Sequence, residues 1–135
     1  MSDVPEGFEP IFRTSPFTDL VGPIYQKMDA SGLIVGISVQ EKQCNARGQM
    51  HGGIFCALAD IAMGYSAAFS TRPPTPMVTA SQTIDYAGKA EKGDWLEVHT
   101  DVQKVGSSMA FANCYFHSGA QRIARSSAAF KVIEA

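Results

Sequence analysis

One apolar segment limits what this chain of 135 residues can fold into. Residues 51–70, H-G-G-I-F-C-A-L-A-D-I-A-M-G-Y-S-A-A-F-S, hold no proline, few β-branched residues and many Ala, which favours a helix. The segment is apolar almost all round, so burial is expected on most of its sides. Prolines at 73, 74 and 76 end it, because proline cannot continue a helix. The fold must therefore enclose one long helix.

Alternating apolar residues predict strands on both sides of this helix. Residues 32–40 alternate, and four later segments have strand patterns: 77–86, 95–105, 109–117 and 122–133. Residues 16–28 carry apolar side chains at helical spacing and predict a short helix, interrupted near Gly22 and Pro23. Consecutive strands with short turns indicate an antiparallel sheet wrapped round the central helix, an α+β fold.

Length and composition restrict the class of protein. The chain suits a single domain, 1–135, with residues 1–30 as an N-terminal extension. A net charge of -2 provides no basic field for nucleic acid. Residues 54–69 are too short to span a membrane and are interrupted by Asp60. The acidic start differs from a secretory signal, and three cysteines without paired spacing argue against disulfides, so a cytoplasmic location is expected.

Two glycines open the predicted helix, in the sequence His51-Gly52-Gly53. A helix N-terminus presents free N–H groups and a partial positive charge. Glycine there lets a ligand approach the backbone closely, so this end could stabilise an oxyanion. The alternative is that the two glycines only form a tight turn into the helix.

Asp60 is the one charge within this apolar helix. An unpaired buried carboxylate is costly, so Asp60 has either a hydrogen-bonding partner in the core or a chemical role. It follows Gly53 by seven residues, roughly 10 Å along the axis, whereas a base must come within about 3 Å of its target. Asp60 could therefore serve a carbonyl only at the N-terminus of a second, antiparallel copy of the helix. A two-fold homodimer would supply that arrangement.

The segment N-A-R-G-Q-M-H-G-G-I-F-C-A-L-A-D, residues 45–60, resembles the N-x-x-G-x-x-H-G-G-x-x-x-x-x-x-D signature of hotdog-fold acyl-CoA thioesterases. The resemblance is to the phenylacetic-acid-pathway (PaaI-like) group of the 4-hydroxybenzoyl-CoA thioesterase superfamily. Residues 79–98 are similar to that family's strand, turn and G-D-x-L element. The resemblance implies a hotdog fold, a homodimer and often a homotetramer. It implies no cofactor, because coenzyme A is part of the substrate.

The resemblance also implies roles for the motif residues. The backbone N–H of Gly52 or Gly53 would polarise the thioester carbonyl. Asp60 of the partner subunit would be general base or nucleophile, and Asn45 would orient the water or the thioester. His51 is counted among the catalytic residues and is expected to stay neutral and fix the turn. Gly48, at the glycine position of the signature, is expected to contact the substrate.

Further substrate contacts are expected outside the helix. Thr79 and Ser81 lie where related enzymes place a hydroxyl that holds water, and Thr79 is the preferred candidate. The turn Gly106-Ser107-Ser108 resembles one that contacts coenzyme A, although an ordinary hairpin turn is the alternative. No metal is expected, because His99 and His117 have no third ligand at metal spacing.

These expectations predict an acyl-CoA thioesterase that acts on an aryl or medium-chain acyl group. One alternative is a non-catalytic module of the same fold that binds acyl-CoA or an acyl carrier protein. A second is a hotdog hydratase or dehydratase, which would pair a catalytic histidine with an acid.

Overall fold

A seven-stranded antiparallel sheet lies against one long helix in the computed structural model, which describes residues 4–134. The strand order is β1-β2-β3-β5-β6-β7-β4. In chain order the elements are β1 (Glu9–Pro10), α1 (Pro16–Val21), β2 (Tyr25–Asp29), β3 (Gly32–Ser38), a 3-10 turn (Glu41–Gln43), α2 (Gly52–Phe69), β4 (Met77–Tyr86), β5 (Trp95–Val105), β6 (Met109–Ser118) and β7 (Gln121–Val132). The predicted α+β layout, with its central helix, is confirmed.

The long helix α2 buries one side against the sheet. Its buried residues recur every three or four positions: Phe55, Leu58, Ala59, Ala62, Met63 and Ala67. The opposite side, which includes Gly53, Ala57, Asp60 and Gly64, is not fully buried within this chain. The expectation of burial on most sides is therefore met only in part within a single chain, because the open side of the helix stays half-buried. The helix has the length and mean hydropathy, 1.4, of a membrane span, but core helices share both properties.

The N-terminal region contains a correction to the predicted secondary structure. Helix α1 ends at Val21, and Tyr25–Asp29 forms strand β2 instead of continuing the helix to residue 28. Pro23 cannot continue the helix, and β3 offers a strand edge on which Tyr25 pairs with Gly36. The N-terminal extension is thus partly a helix and partly an extension of the sheet.

Gly36 explains how the N-terminal residues fit over β3. A Cβ at this position would lie 2.3 Å from Cζ2 of Trp95, so no side chain can be accommodated. The ring of Phe8 packs edge-on to Trp95, with centroids 5.0 Å apart, and covers the same place. This packing fixes Phe8 over β3, and the residues that follow β1 continue towards α2.

Candidate active site

His51 caps the N-terminus of α2. Its backbone is extended, with φ -62 and ψ 138, and its Nδ1 accepts a hydrogen bond from the N–H of Gly53 at 3.0 Å. The N–H of His51 donates to the carbonyl oxygen of Gln43 at 2.8 Å. Because Nδ1 accepts, the imidazole in this arrangement is neutral with its proton on Nε2. His51 therefore holds the turn that starts the helix.

The two glycines differ in what their N–H groups do. The N–H of Gly53 is used by His51, whereas that of Gly52 has no acceptor within residues 4–134. The carbonyl oxygen of Gly52 accepts from the hydroxyl of Tyr86 at 2.7 Å. Partial desolvation of its hydroxyl raises the pKa of Tyr86 to about 12, and its contact with Cys56 acts in the same direction. Tyr86 is thus a neutral donor that holds the carbonyl oxygen of Gly52 at the start of the helix. The N–H of Gly52, unlike that of Gly53, stays available for a ligand.

Asn45 and Gly48 form the loop that precedes His51. The side-chain oxygen of Asn45 accepts from the N–H groups of Arg47 at 2.9 Å and Gln49 at 3.2 Å. Gly48 has φ +77, a conformation that favours glycine, and donates its N–H to the carbonyl oxygen of Asn45 at 3.0 Å. These contacts give both residues a structural reason for their place in the motif, and their roles in catalysis and binding stay predictions.

Asp60 has a defined partner on the neighbouring strand. The hydroxyl of Thr79 donates to Oδ1 of Asp60 at 2.5 Å. Thr79 reaches the helix because β4 has a bulge, since Thr79 pairs with Phe130 while Ser81 pairs with Ala129 and Ala80 is the extra residue. Such a bulge changes the side of the sheet to which the preceding side chain points. The strand is therefore shaped to bring a hydroxyl to the carboxylate.

Ser81 lies on the other face of the sheet. It lines a separate cavity of about 400 Å³ together with Thr83 and Asn113. Both Thr79 and Ser81 are predicted to hold water, but within this chain the structure brings only Thr79 to Asp60. The bulge accounts for the difference, because it reverses the alternation between these two residues.

The turn Gly106-Ser107-Ser108 joins β5 to β6. The N–H of Gly106 donates to the carbonyl oxygen of Met109 at 2.8 Å. The carbonyl oxygen of Ser108 accepts from the N–H of Val132, also at 2.8 Å. None of its three residues lines the cavity that contains Asp60. A contact between this turn and a substrate stays a prediction.

A cavity of about 620 Å³ opens beside Asp60 and Thr79. This volume is in the range of small-ligand sites. The rest of its wall is mainly apolar and includes Ile61, Tyr65, Ala68, Met77, Phe130 and Ile133. Arg13 also lines it and was not anticipated from the sequence, because it lies in an irregular stretch without motif or periodicity. The cavity can hold an apolar group with one end at the carboxylate.

Residues 47–124 match the family model of the thioesterase superfamily. This chain belongs to the thioesterase superfamily. A Pseudomonas aeruginosa protein provisionally named as an esterase is 50% identical over 131 residues, which cover 96% of this thioesterase and 98% of the relative. Human acyl-coenzyme A thioesterase 13 is 29% identical over 98 residues, covering 72% of this chain and 69% of the human protein. The predicted family and the prediction of a thioester hydrolase are confirmed.

Solved structures share the fold of this thioesterase. Zebrafish thioesterase superfamily member 2 has a TM-score of 0.79 and 26% identity over 88% of both chains. The PaaI protein of Escherichia coli has a TM-score of 0.78 and 21% identity over 89% of this chain and 86% of its own. Streptococcus mutans smu.793, whose structure is bound to acetyl CoA, has a TM-score of 0.70 and 24% identity over 75% and 80%. The predicted hotdog fold is confirmed.

Gly52 and Asp60 are too far apart within one thioesterase chain to act on one carbonyl. Eight residues separate them, which is roughly 12 Å along the helix axis. Gly52 does not line the cavity beside Asp60. The available N–H of Gly52 and the carboxylate of Asp60 therefore lie at two different places in each chain.

Replacing Thr79 with valine is expected to lower kcat for thioester hydrolysis about 10- to 100-fold, because a hydrogen bond to a charged group is lost. Valine keeps the shape of threonine but cannot hold the carboxylate of Asp60. Thr79→Ser should retain kcat within about 3-fold of the wild type, since the hydroxyl remains. Steady-state kinetics of thiol release would measure both variants.

Thr83→Val is the matched control for Thr79, because it makes the same change on the same strand at a residue that lines the separate cavity beside Ser81. Its kcat should equal that of the wild type. Equal losses in the two valine variants would show that the effect comes from the strand and not from the contact with Asp60.

Proposed function

We propose that this protein is an acyl-CoA thioesterase whose active site combines Asp60 of one subunit with the Gly52 N–H of another. The observation that carries the proposal is the position of Asp60. Its carboxylate is fixed by Thr79 in the wall of a mainly apolar cavity of about 620 Å³. An acyl group in that cavity would have its carbonyl carbon beside the carboxylate.

Hydrolysis at this site follows from the two groups. Asp60 takes a proton from a water molecule, whose oxygen attacks the carbonyl carbon. The developing oxyanion is stabilised by the N–H of Gly52, which lies at the positive end of a helix. When the carbon–sulfur bond breaks, the proton passes to the sulfur, and the products are a carboxylic acid and a free thiol.

Coenzyme A as the thiol carrier is supported by two of the similar proteins. The human relative is named as an acyl-coenzyme A thioesterase, and the Streptococcus mutans structure is bound to acetyl CoA. The apolar wall of the cavity suits an aryl or medium-chain acyl group, because burying apolar surface favours binding.

A second copy of the chain is needed to complete the proposed site. The open side of α2 carries small residues, Gly53, Ala57 and Gly64, around Asp60, which lets another backbone approach. Strand β4 forms one edge of the sheet and has no partner on its free side within residues 4–134. Long uncovered edges favour pairing with another chain. We therefore propose a homodimer with two shared sites, and a homotetramer as a pair of such dimers.

A thiol-release assay with the wild-type protein tests this function. Hexanoyl-CoA and phenylacetyl-CoA should be hydrolysed with kcat/KM of about 10⁴ M⁻¹s⁻¹ or more. The hexanoyl thioester of N-acetylcysteamine, which lacks the nucleotide, should have a kcat/KM at least about tenfold lower, because remote binding energy is lost.

Two results would contradict the proposal. Binding of acyl-CoA without release of thiol would identify a binding module. Addition of water to the double bond of crotonyl-CoA, without thiol release, would identify a hydratase.

A further inference from the structure

The residues between β1 and α1 cross the C-terminal half of α2. The N–H of Ile11 donates to the carbonyl oxygen of Ile24 at 3.0 Å, and that of Phe12 donates to Oε1 of Gln26 at 2.9 Å. The ring of Phe12 then packs edge-on to Tyr65, with centroids 4.8 Å apart. These contacts hold residues 11–15 in place over the helix.

A second cavity lies beneath this crossing segment. Its volume is about 350 Å³, and its own walls include Ile11, Thr14 and Thr18. It shares four lining residues with the cavity beside Asp60: Arg13, Ile61, Tyr65 and Met77. The two cavities are therefore neighbours, separated by shared side chains.

We propose that the second cavity continues the acyl-binding site, and that Arg13 and Tyr65 form the boundary that limits the length of the acyl group. The proposal rests on the acyl-CoA thioesterase function proposed above. Tyr65 follows Asp60 by five residues, roughly 7.5 Å along α2, a distance that an acyl chain of about six carbons covers. A longer chain must pass the boundary to enter the second cavity.

The two boundary residues differ in how firmly they are held. Tyr65 packs against Phe12 and is stacked on Phe69, with centroids 6.0 Å apart. Arg13 is exposed and has no ion-pair or hydrogen-bond partner within residues 4–134. An arginine can cover apolar surface with its methylene stem while its charged end stays in water. Arg13 is thus the part of the boundary that can be removed without disturbing the packing.

The test compares kcat/KM for dodecanoyl-CoA with kcat/KM for hexanoyl-CoA. Arg13→Ala opens the boundary and should raise this ratio at least about tenfold over the wild type, because additional methylenes become buried. Thr14 lines the second cavity only, so adding Thr14→Trp to Arg13→Ala should return the ratio to near the wild-type value. Arg13→Met keeps most of the side-chain bulk without the charge, so its ratio should stay near the wild-type value.

Arg72→Ala is the surface control, because Arg72 is exposed in the loop after α2 and lines neither cavity. The inference is overturned if Arg13→Ala changes both substrates equally, or if Arg13→Met behaves like Arg13→Ala. Hexanoyl-CoA turnover by the wild type reports on the proposed function separately, because it does not depend on the boundary.

Discussion

Replacing Asp60 with asparagine is expected to reduce kcat for acyl-CoA hydrolysis roughly 100- to 10,000-fold, the usual contribution of a positioned base. Asparagine has the same shape and can still accept a hydrogen bond from the hydroxyl of Thr79. It cannot take a proton from water at neutral pH. The loss should therefore fall on kcat, while the dissociation constant for coenzyme A stays within about 3-fold of the wild-type value. Single-turnover thiol release and isothermal titration would measure the two quantities.

Asp85→Asn is the matched control for Asp60. Both carboxylates are associated with β4, but Asp85 belongs to an exposed ion pair, with Oδ2 3.0 Å from Nε of Arg125. Exposed pairs of this kind contribute little to stability, so Asp85→Asn should retain wild-type kcat. An Asp60→Asn variant that keeps more than a tenth of wild-type kcat would exclude a catalytic base at this position.

The long helix and the strands after it could be predicted from the sequence because each has a sustained pattern. Helix α2 runs from Gly52 to Phe69, against a predicted 51–70, with His51 as its cap. The strands Met77–Tyr86 and Trp95–Val105 begin and end at the predicted residues. In Trp95–Val105 the more buried residues alternate with the less buried ones from Leu96 to Val102, which is the signal that periodicity can detect.

The N-terminal region could not be predicted in the same way. Strand β1 has two residues and β2 has five, too few for an alternating pattern to differ from chance. Strand β2 pairs with β3, and β1 pairs with β2, so the conformation of both depends on pairing with a neighbouring strand. Arg13 reaches the candidate site only because that pairing directs residues 11–15 across α2, so no local signal could identify it.

Two details of the candidate site also required the structure. The bulge at Ala80 has no clear signature in the sequence, and without it Thr79 and Ser81 would point to the same side. The sequence H-G-G likewise offers two equivalent N–H groups. Only the direction of the His51 side chain shows that Gly53 is occupied and Gly52 is available.

Gly52→Pro is expected to lower kcat about 100- to 1,000-fold, the usual effect of losing one oxyanion donor. Proline removes the N–H at the first helical position, where it is compatible with a helix. The preceding residue, His51, has ψ 138, the extended conformation that proline requires before it. The substitution therefore removes the proposed donor while leaving the helix intact. Steady-state kinetics with hexanoyl-CoA and a thermal unfolding curve would test both parts.

Gly52→Ala is the control, because alanine adds a Cβ but keeps the N–H. The added Cβ would lie 3.0 Å from the hydroxyl oxygen of Tyr86, so the end of that side chain must move by a few tenths of an ångström, and Tyr86 is 49% exposed, which leaves room for the movement. We expect kcat for Gly52→Ala within about 5-fold of the wild type, far above that of the proline variant. Equal losses in the two variants would mean that crowding against Tyr86, and not the missing N–H, is responsible.

Mixing the two inactive variants tests whether the site is shared between subunits. In a dimer of one Asp60→Asn chain and one Gly52→Pro chain, one site carries both changes and the other carries neither. Random pairing makes half of the dimers mixed, each with one intact site, so co-expression should restore about a quarter of wild-type activity. Two different affinity tags would isolate the mixed dimer, which should then have about half of wild-type activity. If Asp60 and Gly52 of the same chain formed the site, no mixed dimer could contain an intact one, and activity would stay at the level of the parent variants.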